Sequence, residues 1–461
     1  MMIFDKLETD YEDYCGKIKE LILGKRLSFS VVTFGCQQNE ADSEKIVGIL
    51  SSLGYIPCDD FTAADLVIFN TCAVRDHAEK KALSIIGRLK SAKANNPELI
   101  IGVVGCMSAE AGTVEKIKHS YPFVSFTLEP NLLHLIPEAL YTYMTTKKRS
   151  FIIARDKGDV IEGLPAVRRV KHRGWVSVMY GCNNFCSYCI VPYTRGRERS
   201  RRASDIISEC EAMIRDGVRE ITLLGQNVNS YRSDTDFSGL LSRIAEIEGD
   251  FIIRFMTSHP KDVPDSLIET ISKYKGKIAP FFHLPIQSGS DRILKLMNRR
   301  YTRERYLEII DKLRARVPDI ALSTDIIVSF PGESDEDFES TLDVIRRVRY
   351  DNVYCFVYSR REGTPAARME DTVSEGTVKE RMARILDICK EIALENNKRY
   401  EGRTVRVLVD GRCDGSDNVF SARTDTNKLV HIVSDEDISG RFISVVIDKA
   451  KPFDLVGTIV K

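Results

Sequence analysis

A chain of 461 residues is too long for one ordinary domain, so two or three are expected. Hydrophobic residues at 43% and charged residues at 29% make a soluble globular composition, and no apolar run of ~18 residues suggests a membrane span. Lys+Arg and Asp+Glu balance at 67 each, so net charge gives no ground for a nucleic-acid partner, and any such ground must come from local clusters. The start, MMIFDKLETDYEDYCGK, is acidic and mixed rather than basic and then apolar, which reads as a cytoplasmic chain without a secretory leader. Twelve cysteines in a reducing compartment are then metal ligands and buried free thiols rather than disulfides.

In chain order, residues 1–26 read as a charged helical extension. Residues 27–145 alternate strand and helix: SFSVVTFG, ADLVIFN and ELIIGVVG are apolar strand runs, and the segments between them carry apolar residues at helical spacing. That is an α/β pattern with an open parallel sheet. Residues 146–173 read as a linker rich in Lys and Arg. Residues 174–400 repeat the alternation with six strands, which predicts a partial (βα)6 barrel whose active face lies at the strand carboxyl ends. Residues 401–461 switch to five short strands with turns, a small all-β barrel.

Two sets of three cysteines stand out. Cys182, Cys186 and Cys189 fall within eight residues, in YGCNNFCSYCI, with Tyr188 before the last. Three thiolates at that spacing suit three irons of a 4Fe-4S cube and leave the fourth iron open. Zinc and a buried thiol cluster are the alternatives; a structural zinc site wants four ligands, and His172 is ten residues upstream of Cys182. The second set, Cys36, Cys72 and Cys106, is spaced by 36 and 34 residues and matches no short metal motif. Yet each member sits just beyond a predicted strand, and the carboxyl ends of parallel strands converge on one crevice. Three more ligands suggest a second 4Fe-4S cluster, against the alternative of three separately buried thiols such as Cys15 and Cys58.

The motifs TFGCQQNEADSE, NTCAVRDHAEKK, GVVGCM and YGCNNFCSYCIVPYTRGRERSR together resemble the radical S-adenosylmethionine (SAM) methylthiotransferases, most closely the MiaB type that modifies tRNA. The resemblance runs from about Leu27 to the C-terminus. It implies a methylthiotransferase N-terminal domain with an auxiliary cluster, a radical SAM barrel and a C-terminal TRAM barrel. It also implies that Cys36, Cys72 and Cys106 hold that auxiliary cluster, and that SAM serves as methyl donor and radical source. On the barrel, LLGQNVNSY, HLPIQSGSDRIL and STDIIVSFPGE occupy strand ends. Candidate SAM contacts are therefore Tyr188, Gly225, Gln226, Asn227, Gln287, Ser288 and Asp325, with Gly289 and Gly332 expected to let backbone approach the adenine ring. Ser329 departs from the family, which usually has Gly before Phe-Pro-Gly-Glu, and Ala422 stands where Gly is usual in the TRAM barrel.

Arg195, Arg197, Arg199, Arg201 and Arg202 fall within eight residues after the cysteine loop and are the candidate RNA contacts; Arg299, Arg300, Arg303 and Arg305 form a second basic run. The implied reaction inserts a methylthio group at carbon 2 of N-isopentenyladenosine next to the tRNA anticodon. Its implied partners are the anticodon stem-loop, an electron donor and a sulfur source, with nothing demanding more than a monomer. The alternatives are the same chemistry on threonylcarbamoyladenosine or on a ribosomal-protein aspartate, and, from another class, a non-catalytic iron–sulfur RNA-binding protein.

Overall fold

A computed structural model describes residues 11–73, 76–153, 160–370 and 373–460. Its first six strands are β1 (Ser28–Thr33), β2 (Ile56–Pro57), β3 (Leu66–Thr71), β4 (Ile100–Gly105), β5 (Phe126–Leu128) and β6 (Ser150–Ile152). They make one sheet in the order β2-β1-β3-β4-β5-β6, parallel throughout. All six residues of β3 and all six of β4 are buried, as expected of central parallel strands covered on both faces. Three strands are additions to the alternation read from sequence, and β6 occupies part of the segment expected to be linker. Two apolar clusters fill the sheet's faces, one around Phe29, Ile46, Leu50 and Phe126, the other around Phe69, Ile86, Leu89 and Ile101. Helix Tyr11–Leu21 packs onto the first through Cys15 and Ile18; the earlier part of the expected helical extension lies outside the described residues.

Beyond the sheet come β7 (Arg173–Ser177), β8 (Met179–Tyr180) and β9 (Arg199–Ser200). β8 and β9 pair antiparallel and belong, with residues 1–169, 179–185 and 189–201, to a first compact unit. The second unit comprises residues 170–178, 186–188 and 202–461.

In the second unit, β10 (Glu220–Leu224) and β11 (Ile252–Phe255) join β7 in a parallel sheet, and β12 (Phe281–His283), β13 (Ala321–Val328) and β14 (Asn352–Val357) make another. A parallel bridge between Ile253 and Ile278 connects β11 to the approach of β12. Each strand leads into a helix, so this is the six-fold βα barrel expected. Helix Glu375–Lys398 follows it, and β15 (Thr404–Arg412), β16 (Val419–Thr424), β17 (Leu429–Val433), β18 (Phe442–Ala450) and β19 (Leu455–Ile459) form a closed barrel in the order β15-β16-β17-β19-β18. Its core contains Val409, Phe420, Ala422, Ile432 and Ile447, so Ala422 is a core methyl.

The small barrel is anchored to the larger one by buried polar contacts. Arg254 donates to the carbonyls of Thr424 and Asp425 at 2.8 Å each while its Nε–H binds Glu220 at 2.6 Å. Arg173 bridges Glu220 and Asp410, Lys428 binds Asp351 at 2.7 Å, and Asn397 donates to the carbonyl of Lys451 at 2.7 Å. Removing one partner of such a buried set costs about 3–5 kcal/mol. Among the described residues, no helix is long and apolar enough to cross a membrane.

Candidate functional site

In the first unit, Cys36 lies three residues past β1, Cys72 directly past β3 and Cys106 directly past β4, and these three strands are neighbours. The loops are brought close by missing side chains. Gly35 has φ of +128°, and a Cβ there would sit 2.5 Å from Cys72 Cβ; Gly105 has φ of +95°, and its Cβ would sit 2.4 Å from the Thr71 carbonyl. Two carboxamides lace the same loops together. Asn39 donates to the Thr71 carbonyl at 2.8 Å and accepts from the Cys36 thiol at 3.3 Å, while Asn70 donates to the Asn39 carbonyl at 2.8 Å and to Ser43 Oγ at 2.9 Å. Asn39 and Asn70 were not singled out from sequence; their signal is a carboxamide within three residues of each of two cysteines. Cys72 and Cys106 are buried and Cys36 is exposed.

Arg195 does not face solvent as a phosphate contact would. It is 3% exposed; its Nε–H donates to Cys106 Sγ at 3.3 Å, and a terminal nitrogen binds Asp42 at 3.0 Å and Asn39 Oδ1 at 3.5 Å. Burial pushes the Cys106 thiol up, and the Arg195 guanidinium opposes that push. Arg201 is also buried and forms a two-pronged pair with Glu162 at 2.7 and 2.6 Å. Of the five arginines expected to contact RNA, Arg195 and Arg201 are thus buried in ion pairs. Arg197 is exposed and stacks 4.8 Å over Phe185, Arg199 is half-buried, and Arg202 is exposed.

The loop of Cys182, Cys186 and Cys189 contributes its outer two cysteines to the first unit and Cys186 to the second. In the first unit the Cys182 amide donates to the Gly196 carbonyl at 3.1 Å, and Ile190 packs on Ala73 and Cys106. In the second unit Arg299, expected in a surface patch, is 8% exposed and donates to Cys186 Sγ at 3.3 Å, with Tyr301 Oη and the Pro285 carbonyl taking its other hydrogens. Of its neighbours, Arg300 is exposed, Arg303 pairs with Asp343 and Arg305 with Glu308. Tyr188 packs against Met297, Phe330 and Ala366.

The barrel strand ends carry strain and unmet polar atoms. Thr257 after β11, Gln287 after β12 and Ser329 after β13 all have positive φ, at 70°, 72° and 59°. Each costs about 1–2 kcal/mol, and such residues cluster at functional sites. Gln226 Oε1, Asn227 Oδ1, both side-chain polar atoms of Asn229, and the hydroxyls of Ser258 and Ser329 are buried with no hydrogen-bond partner in the protein. A buried acceptor left unpaired costs about 1–3 kcal/mol, so these atoms suit a polar ligand such as SAM. Gly225 is buried in the same turn, Asn227 Nδ2 binds Asp262 at 2.7 Å, and Asp325 lies 3.6 Å from His283 Nε2. Asn229, Ser258 and Thr257 went unnoticed in the sequence, though Asn229 belongs to the QNVNS run.

Two of the expected cofactor positions have contacts inside the protein. Ser288 is 1% exposed, and its hydroxyl accepts from the Ser290 amide at 3.3 Å and meets Thr341 of helix Asp335–Val348 at 3.5 Å. At Gly289 a Cβ would strike the Ser340 carbonyl at 2.4 Å, so close packing on the neighbouring helix requires glycine there. The positive φ of Ser329 explains why glycine is usual at that position. Ser329→Gly removes both the strain and an unpaired buried hydroxyl, and we expect a gain of about 1 kcal/mol in stability of the ligand-free protein, read as a higher denaturant midpoint.

No disulfide links any of these cysteines. Among the described residues no three His, Cys, Asp or Glu side chains converge on a single metal ion. A four-iron cube is a larger object that spreads its thiolates around its corners, and the donor set is three thiols at three adjacent strand ends, with Arg195 offsetting negative charge.

Residues 176–345 match the radical SAM superfamily, residues 28–129 match an uncharacterized family designated UPF0004, and residues 398–460 match the TRAM domain. A tRNA-2-methylthio-N(6)-dimethylallyladenosine synthase of Thermoanaerobacter pseudethanolicus is 46% identical over 98% of this chain and 96% of its own. The chain belongs to this synthase family. Another member, from Geobacillus kaustophilus, is 47% identical over 95% of this chain and 83% of its own. Among solved structures, the radical SAM methyltransferase TsrM of Kitasatospora setae has a TM-score of 0.53 at 13% identity, covering 74% of this chain and 75% of its own, which is a likeness of fold. Members of the radical SAM synthase family are methylthiotransferases, and membership implies a 4Fe-4S cluster and SAM.

Proposed function

We propose that this chain inserts a methylthio group at carbon 2 of N6-dimethylallyladenosine (N-isopentenyladenosine) next to the anticodon of tRNA, acting as a cytoplasmic monomer. The observation that carries the reading is 46% identity along 98% of the chain to a synthase named for that product. Cys182, Cys186 and Cys189 hold the radical-generating 4Fe-4S cluster, and Cys36, Cys72 and Cys106 hold a second. When bound to a reduced cluster, SAM supplies a carbon radical able to remove an unactivated aromatic hydrogen, which no acid or base on the protein can do.

The side chains have separate tasks. Gln226, Asn227, Asn229 and Ser258 offer the polar atoms that orient SAM, with Gln287 and Asp325 at other strand ends as further contacts. Arg299 steadies Cys186 by its hydrogen bond to sulfur. Gly35, Gly105, Asn39 and Asn70 keep the second set of cysteines in a tight group, so that the sulfur to be inserted has one position. Arg197, Arg199 and Arg202 supply cations for RNA phosphates. The methyl group comes from a second SAM; an external reductant and an external sulfur source are required.

Nucleosides of bulk tRNA from cells lacking this gene should lose 2-methylthio-N6-dimethylallyladenosine and accumulate the unthiolated nucleoside, with restoration by the intact gene. Unchanged 2-methylthio-N6-dimethylallyladenosine alongside a missing methylthio group on threonylcarbamoyladenosine or on a ribosomal-protein aspartate would overturn the assignment of substrate.

A further inference from the structure

Resting on the reading that Cys36, Cys72 and Cys106 hold a 4Fe-4S cluster, we propose that Arg195 and Asp42 are an opposed pair of positioning residues that sets the reduction potential of that cluster. Arg195 is 3% exposed, and its contacts within hydrogen-bond range are Cys106 Sγ, the Asp42 carboxylate, and Asn39 Oδ1. Asp42 is itself buried, with 5% of its side chain exposed, and also accepts from Gln38 Nε2 at 3.1 Å. All of these residues and the three cysteines belong to the first unit.

A hydrogen bond to a ligand sulfur, and a cation beside it, stabilise the more negative, reduced form of an iron–sulfur cluster and raise its potential. A carboxylate close by does the reverse. Both charges are buried, where fields are weakly screened, so neither effect is lost to solvent or salt. Asp42 binds the same guanidinium that donates to Cys106, so it cancels part of the cation's charge at the sulfur without removing the hydrogen bond. Arg299 shows the same device without the counter-charge: it donates to Cys186, and its other hydrogens go to the neutral oxygens of Tyr301 and Pro285. A purely structural ion pair, fastening residues 191–195 to helix Gln37–Leu53, would instead make the two side chains interchangeable in effect: loss of either would loosen the site in the same way.

The test uses the full chain with Cys182, Cys186 and Cys189 replaced by alanine, so that only one cluster reports, reconstituted anaerobically and titrated potentiometrically by electron paramagnetic resonance. Asp42→Asn should raise the midpoint potential and Arg195→Gln should lower it. Each shift should be on the order of tenfold in the reduced-to-oxidised ratio at fixed potential, which is 59 mV for one electron. Arg195→Lys, which keeps the charge, should stay near the parent. Asp42→Asn alone decides the matter if Arg195→Gln does not fold, because a potential that is unmoved or falls in Asp42→Asn overturns the proposal. Shifts of the same sign in both variants would also overturn it. A parent protein that binds no iron overturns the cluster reading and this proposal together, whereas full iron with unmoved potentials overturns only the proposal.

Discussion

Replacing Cys182, Cys186 and Cys189 together by alanine will lower the iron of the anaerobically reconstituted chain from about eight to about four per molecule and will abolish cleavage of SAM to 5′-deoxyadenosine. The reason for a clean halving is that the two sets of cysteines have different supports. Cys36, Cys72 and Cys106 are fixed by the ends of β1, β3 and β4 and by the carboxamides of Asn39 and Asn70, none of which comes from the 182–189 loop. Iron counting by colorimetry and chromatography of the nucleoside product read the two effects separately. A wild-type count that stays near four would mean that the second set carries no cluster. The variant must lose cleavage completely, because three-thiolate ligation leaves no partial cluster for SAM to bind. Cys186→Ser is a useful companion: it keeps an acceptor for the buried Arg299, so a loss of iron there reports ligation rather than an unpaired guanidinium.

The second large effect needs no change to any ligand. Gly35→Ala places a methyl group 2.5 Å from Cys72 Cβ and 3.1 Å from its sulfur, at a φ of +128° that alanine avoids. The φ alone costs about 1–2 kcal/mol, and the overlap must be relieved by moving one cysteine loop away from the other. A displacement of about 1 Å is enough to lose about a hundredfold in rate where reacting groups must be positioned. The expected result is a protein with about four irons, normal SAM cleavage and at least a hundredfold less methylthio product. Gly54→Ala is the control. Gly54 also has positive φ, at 102°, as the cap of helix Gln37–Leu53, but its Cβ would meet only Ile22 at 3.6 Å. It should be destabilised to a similar degree and keep about eight irons. Wild-type iron and turnover in Gly35→Ala would show that the close approach of the two loops is unimportant.

Much of this architecture was readable before any coordinates. Parallel strands covered on both faces must be continuous apolar runs, and LVIFNT and IIGVVG say so directly, which is why the cysteines after them could be assigned to strand ends. The strands that escaped notice, Ile56–Pro57, Phe126–Leu128, Ser150–Ile152 and Arg199–Ser200, are two or three residues long and are held by backbone hydrogen bonds to a neighbour already in place, so they need no periodic pattern. The arginines were the hardest to read. Within TRGRERSRR, Arg195 and Arg201 turn inward to Cys106, Asp42 and Glu162 while Arg197 and Arg202 face out, and nothing local distinguishes them because the partners lie 39 to 153 residues away. Thr257 is illegible for a different reason: a β-branched residue is among the poorest choices for positive φ, so propensity points away from the strained turn that the barrel imposes.

The bonds from Arg254 to the carbonyls of Thr424 and Asp425, with Arg173, Lys428 and Asn397 beside them, have a geometric consequence. A terminal module on a loose linker would act as a tether, raising the local concentration of its cargo without orienting it. This one is bolted down. The small barrel's span and bearing from the larger barrel's strand ends are therefore fixed by the fold rather than left to a linker.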